Sequence, residues 1–215
     1  MKGASGKETY DAGCRDCPRL AGFLKEVRRD NPGYFCAPVP SFGPQKAGLL
    51  IVGLAPGMHG ANRTGRPFTG DHAGILLYAT LHKLGFASHA GSADPGDGLK
   101  LIDCRVTNAV KCLPPQNKPD TAEIRQCNRY LKAEIAAVKP RAILALGRIA
   151  HDAVLHALGL RARDFTFAHG AVHELPEGMF LHDSYHCSRY NTQTRRLTPE
   201  MFESVVGAIA ARLRG

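Results

Sequence analysis

The feature that most constrains the fold is an alternation of short apolar runs with amphipathic segments. Four runs have the length of buried strands, at residues 49–54, 104–110, 142–146 and 179–182. Between them, apolar residues recur at helical spacing. Strands that alternate with helices indicate a parallel sheet covered on both faces. We therefore predict an α/β fold, a three-layer α/β/α sandwich with a central, mostly parallel four-stranded sheet.

Boundary signals support the helices of this arrangement. Pro18 stands where a first helix would begin, and Asp120 with Glu123 forms a capping box before a later one. Thr198 and Pro199 open the last helix. The clearest loop, residues 91–98, interrupts the pattern without a change in composition, and no internal repeat is visible. We expect residues 1–215 to form a single domain.

The charge of the chain bears on its partners. The net charge is +9 over 215 residues, and basic chains often bind polyanions because phosphate contacts release counterions. A mildly basic balance also serves solubility alone, so charge by itself decides little. The first fourteen residues hold no apolar run, and no stretch is long enough for a membrane span. We expect a cytoplasmic protein without a membrane partner, and a monomer by default.

The seven cysteines are expected to be reduced, because no secretory signal accompanies them. Cys14 and Cys17 form a C-x-x-C pair in a polar segment, which favours metal binding over core packing. Two further cysteines could complete a four-thiolate set for either zinc or an iron–sulfur cluster, and spacing alone does not choose between them. The predicted metal ligands are Cys14, Cys17, Cys112 and Cys127. The others are expected to be buried apolar residues: Cys36, Cys104 and Cys187.

Three unusual loops follow predicted strands. In open parallel sheets, ligands bind beyond the carboxyl ends of the strands, so these loops are expected to share one site. Residues 53–71 are rich in glycine and offer backbone amides, but match neither a Walker A loop nor a G-x-G-x-x-G fingerprint. Residues 107–115 include Asn108, whose amide both donates and accepts at a base edge. Residues 183–196 carry hydroxyl, amide and guanidinium groups, as phosphate-contacting loops do.

Taken together, the three loops resemble the uracil-DNA glycosylase superfamily, and most closely its type b branch, often called family 5. The match includes Gly-Leu-Ala-Pro-x-x-His-Gly-x-Asn-Arg-Thr-Gly-Arg-x-Phe-Thr-Gly-Asp, Asn-Ala-Val-Lys-Cys-x-Pro-Pro and Ser-Tyr-His-x-Ser-Arg-x-Asn-Thr-x-Thr. The resemblance spans residues 14 to 198 in order. It implies a [4Fe-4S] cluster on the four cysteines rather than zinc.

The resemblance also implies roles for individual residues. Phe68 would stack on an extruded base, Asn108 would hydrogen-bond its edge, and His186 would stabilise charge developing on the departing base. Ala55 replaces a polar group of related branches, so Asn62 or Asp71 is expected to position water instead. Asp71 is equally suited to capping the next helix. The expected DNA-binding residues are Arg63, Ser188, Arg189, Asn191 and Arg195.

The implied function is base-excision repair. A monofunctional glycosylase would hydrolyse the N-glycosidic bond of uracil in DNA and leave an abasic site. The small Ala55 leaves room for hypoxanthine or other deaminated bases. One alternative is a non-catalytic iron–sulfur protein that binds DNA as a lesion or redox sensor. A weaker alternative is a nucleotide-binding metabolic enzyme, which the missing phosphate fingerprints disfavour.

Overall fold

The computed structural model describes residues 9–215. A sheet of five strands forms its centre, in the order β2-β1-β3-β5-β4. The first four in this order run parallel, and β4 is antiparallel to β5 at the edge. The strands are β1 (Leu49–Gly53), β2 (Cys104–Asn108), β3 (Ala142–Leu146), β4 (Val172–Glu174) and β5 (Phe180–Ser184).

Helices follow the strands in the predicted alternation. The first precedes the sheet, and the last closes the chain. They are α1 (Pro18–Asp30), α2 (Ala61–Thr64), α3 (His72–Lys83), α4 (Thr121–Val138), α5 (Arg148–Ala157), α6 (Arg189–Gln193) and α7 (Pro199–Arg214). Short 3-10 turns occupy Pro115–Asn117, Ala162–Asp164 and Pro176–Gly178. The predicted capping box is present, with Asp120 and Glu123 bonding reciprocally at the start of α4.

Two hydrophobic cores lie on opposite faces of the sheet. Leu49 and Ile51 of β1 point to the face covered by α3 and α7. Leu50 and Val52 point to the face covered by α4 and α5. Because both faces are buried, the strand reads as a continuous apolar run instead of an alternating one. The predicted α/β/α sandwich is confirmed.

The sheet has one strand more than the four that the sequence predicts. The additional strand, β4, has only three residues, two of them exposed. Val172, His173 and Glu174 lack the apolar run that marks the buried strands, so no strand signal precedes β5. Among the helices of residues 9–215, none is both long and apolar enough to cross a membrane.

Candidate active site and cysteine cluster

The three predicted loops converge on one cavity at the carboxyl edge of the sheet. Its volume is about 410 Å³. The loops after β1, β2 and β5 all contribute to its wall, as expected for parallel strands that end at a common edge. Seven of the predicted site residues line it: Ala55, Phe68, Asp71, Asn108, His186, Ser188 and Arg189.

Asn108 ends β2 with its side chain buried in this wall. Its Oδ1 has no hydrogen-bond partner within residues 9–215. The amide fits because Gly53, its neighbour on β1, has no side chain. A Cβ on Gly53 would lie 2.5 Å from Asn108 Oδ1 and 2.6 Å from Phe68 Cζ. An unpaired buried acceptor is costly, so this atom is suited to receive a donor from a ligand.

Phe68 and His186 form two neighbouring parts of the wall. Their ring centroids are 5.9 Å apart and the planes are inclined by 32°. Phe68 has a left-handed backbone with φ 53°, a strained conformation that tends to occur at functional sites. Burial lowers the pKa of His186 to about 4. The imidazole is therefore neutral at pH 7 and keeps one N–H to donate.

Asp71 both caps a helix and faces the cavity. Its Oδ1 accepts a hydrogen bond from the Gly74 N–H at 3.0 Å, at the start of α3. Burial raises the pKa of Asp71 above 3.8. Gly57 and Gly60 lie beside the second oxygen, and a Cβ on Gly60 would collide with it. The carboxylate thus has one fixed oxygen and one that two glycines leave accessible.

Asn62 is the other residue predicted to position water. It lies on α2, fully buried, and is not among the described residues that line the cavity. Its Nδ2 donates to Cys36 Sγ at 3.5 Å. In this geometry the amide nitrogen points at a core cysteine, and Oδ1 has no hydrogen-bond partner within residues 9–215.

The predicted DNA-binding residues do not all lie at the cavity. Ser188 caps α6 by accepting the Asn191 N–H at 3.4 Å, and Arg189 is exposed at the cavity rim. Asn191 instead holds the loop, because its Nδ2 donates to the His186 carbonyl at 2.8 Å. Arg63 and Arg195 are exposed at positions away from the cavity wall formed by the described residues.

The four predicted metal ligands line a second, smaller cavity together. Cys14 and Cys17 precede α1, Cys112 follows β2, and Cys127 lies on α4. Cys127 Sγ accepts the Lys111 N–H at 3.3 Å. Burial, reinforced by the neighbouring thiols, raises the pKa of Cys17 to about 11 and that of Cys112 to about 12. A metal would have to displace these protons to bind the thiolates.

The spacing of the four sulfurs bears on the kind of metal. Within residues 9–215, one group of three or more ligating side chains has all its ligand atoms within 4.8 Å of one another, and it contains no cysteine. A tetrahedral zinc needs sulfurs about 3.8 Å apart, from Zn–S bonds of about 2.3 Å. The four thiols do not form such a tight group in this structure. The three cysteines expected to be ordinary core residues are buried: Cys36, Cys104 and Cys187.

Residues 40–210 match the Uracil DNA glycosylase superfamily. The chain belongs to this superfamily. It is 49% identical to a Type-5 uracil-DNA glycosylase of Thermus thermophilus over 94% of both chains. It is 46% identical to one of Mycobacterium leprae, over 89% of this chain and 88% of the relative. A Type-4 uracil-DNA glycosylase of Pyrobaculum aerophilum is 37% identical over 63% of this chain and 62% of its own.

In this uracil-DNA glycosylase superfamily member, two polar residues of the cavity wall, His72 and Asn117, were not predicted from the sequence. His72 begins α3, and its Nε2 lies 2.9 Å from Thr192 Oγ1. Asn117 follows the paired prolines and stands exposed at the rim with φ 57°. The Pro-Pro run indicated a turn there, and an asparagine tolerates the left-handed conformation. No feature of the sequence indicated that this turn reaches the cavity.

Proposed function

We propose that this protein removes uracil from DNA by hydrolysing the bond between the base and deoxyribose, leaving an abasic site. Membership of the superfamily supports this, as do relatives named uracil-DNA glycosylase at up to 49% identity. The single observation that carries the proposal is the buried, unpartnered Oδ1 of Asn108 in the cavity wall. Uracil offers an N3–H donor to that oxygen and an O4 acceptor to the amide nitrogen of the same side chain.

The base would enter the cavity extruded from the duplex and stack on Phe68. Extrusion costs a few kcal/mol of unstacking, which contacts in the pocket must offset. Tyr190 is 70% exposed on α6, next to the rim. An exposed aromatic ring at this place is suited to fill the gap left in the duplex. Ser188 and Arg189 are placed to bind the flanking phosphates, with Arg63 and Arg195 as further cationic contacts.

His186 would stabilise the departing base. As the bond between N1 and C1′ breaks, both electrons stay with uracil and negative charge develops on O2. A neutral imidazole still carries one N–H and can donate a hydrogen bond to that oxygen without having to be protonated first. The donor is fixed before the reaction begins, which is the condition for effective electrostatic stabilisation.

Asp71 would orient the attacking water. The water oxygen bonds to C1′ of the sugar, and the carboxylate receives the released proton. Its negative charge also stabilises the oxocarbenium-like sugar. Ala55 supplies only a methyl group to the same wall, so it cannot share this task. The small side chain leaves space for a larger base, which favours hypoxanthine as a second substrate.

We further propose that Cys14, Cys17, Cys112 and Cys127 hold a [4Fe-4S] cluster. Their convergence on one cavity from three separate segments of the chain supports this assignment, together with membership of the superfamily. The cluster would supply bonds to four thiolates that tie the start of α1 to the segment after β2 and to α4. Its role is structural, since the base cavity has its own separate wall.

Excision from a defined oligonucleotide tests the function. Labelled duplexes with one uracil or one hypoxanthine are incubated with purified protein, and alkali cleaves the abasic sites. We expect cleavage at uracil that His186→Ala reduces about 10²-fold or more, whereas His156→Ala, an exposed histidine on α5, leaves it unchanged. Binding of uracil-containing duplex without any cleavage would instead support the non-catalytic lesion sensor.

A further inference from the structure

The segment 165–173, here called the aromatic arm, lies against the strand that leads to His186. Alternate side chains of the arm turn inward, and those between them are exposed. The inward set is Phe165, Phe167, His169, Ala171 and His173. This period of two is that of a strand, although only the last part of the arm forms β4.

Backbone pairing between the arm and β5 stops just before the active-site loop. Gly170 N–H donates to the Asp183 carbonyl at 2.9 Å, and Asp183 N–H donates to the Ala171 carbonyl at 3.0 Å. Further along this chain segment, the amide of Tyr185 binds a side chain of the arm instead of its backbone. Tyr185 N–H donates to His169 Nδ1 at 3.2 Å. The imidazole thereby continues the ladder where the two backbones separate.

The ring of Tyr185 is also held on two sides. His169 stacks on it with centroids 5.1 Å apart and an interplanar angle of 21°. The Arg196 guanidinium lies 4.5 Å from its centroid. Burial lowers the pKa of His169 and so favours the neutral ring; the hydrogen bond from the Tyr185 N–H requires the tautomer that carries its proton on Nε2.

These contacts fix the main chain on both sides of His186. Tyr185 N–H, immediately before it, is bound by His169, and the His186 carbonyl is bound by Asn191 at 2.8 Å. We propose that His169 is a positioning residue that sets the imidazole of His186 against the extruded base. The proposal rests on the proposed function, because it assigns His169 a part in the same reaction.

Two substitutions of His169 separate positioning from general stability. His169→Ala removes both the acceptor and the stacked ring. His169→Asn keeps an acceptor, because the amide oxygen can occupy roughly the position of Nδ1. His156→Ala is the matched control, since His156 is exposed on α5. Each variant is compared with wild type by the single-turnover rate of uracil release at saturating enzyme, by duplex Kd and by Tm.

We expect His169→Ala to lower the single-turnover rate about tenfold or more, because small displacements of a catalytic group are costly. The duplex Kd should stay within about twofold, since His169 is not among the described residues that line the cavity. His169→Asn should recover most of the rate, while His156→Ala matches wild type. An unchanged rate in His169→Ala overturns the proposal, and so does a loss that Asn fails to rescue.

Hydrogen exchange at the Tyr185 amide tests the same contact without using activity. Exchange should accelerate in His169→Ala and return towards the wild-type rate in His169→Asn. Unchanged exchange in His169→Ala overturns the positioning role. If wild type released no uracil, the proposed function would fail while this exchange measurement still decided whether His169 holds the loop.

Discussion

Replacing Gly53 by alanine should disable the base cavity with little damage to the fold. The new Cβ would lie 2.5 Å from Asn108 Oδ1 and 2.6 Å from Phe68 Cζ. Ordinary contact begins near 3.4 Å, so these two groups must retreat by about 0.8–0.9 Å. Misplacement by about 1 Å costs about 10²-fold in rate, which is about 2.7 kcal/mol of transition-state stabilisation. Overpacking should cost about 1–3 kcal/mol of unfolding free energy.

The assay is the single-turnover release of uracil, measured beside urea unfolding. Gly22→Ala is the matched control, because a Cβ there meets nothing within 4 Å and Gly22 lies in α1. That variant should keep full activity and gain about 0.5–1 kcal/mol from helix propensity. If Gly53→Ala released uracil within twofold of the wild-type rate, Asn108 and Phe68 would not read the base as argued.

Three further outcomes follow from buried groups. Glu134→Ala leaves the buried Lys111 ammonium, which lies 3.2 Å from Glu134 Oε2, without its carboxylate partner. The free energy of unfolding measured in urea should fall by about 3–5 kcal/mol; a fall below about 1 kcal/mol would contradict this. Cys112→Ser should remove the cluster's visible absorbance and lower Tm, whereas Cys104→Ser leaves the absorbance intact. Burial opposes charge on His151, but the hydrogen bond to Asp183, the charge of Asp183 and the hydrogen bond to the Phe165 carbonyl together outweigh it and raise the His151 pKa. The contribution of the protonated His151 to the free energy of unfolding is therefore complete below pH 6.5 and declines as pH rises through the folded-state pKa. The difference in unfolding free energy between wild type and His151→Gln should shrink over the same pH range.

Much of the fold could be predicted because parallel strands that are buried on both faces appear in the sequence as continuous apolar runs. Runs such as Leu49 to Gly53 are apolar throughout, and the Asp120–Glu123 box marks a helix start at single-residue precision. β4 and the aromatic arm could not be predicted. Their alternate rings are His and Phe in a stretch without β-branched residues on the inner face, so no strand pattern stands out even though β5 begins only six residues after β4 ends.

The location of the site could be predicted from the sequence, but the orientation of some of its side chains could not. Asn108, Phe68 and His186 meet because the carboxyl ends of neighbouring parallel strands share an edge. Asn62 illustrates the limit. It lies on the four-residue helix α2, whose rotation decides whether the amide faces the cavity or Cys36. Tertiary packing sets that rotation, and spacing along the chain does not encode it.

The most direct test of the central claim is the identity of the base released. Protein with its cluster intact is incubated in excess with a uracil-containing duplex, and the small-molecule fraction is analysed by mass spectrometry. The account predicts one equivalent of free uracil per duplex, lost in His186→Ala and strongly reduced in Asn108→Ala. A duplex that stays intact, or uracil release that survives both substitutions, would contradict it.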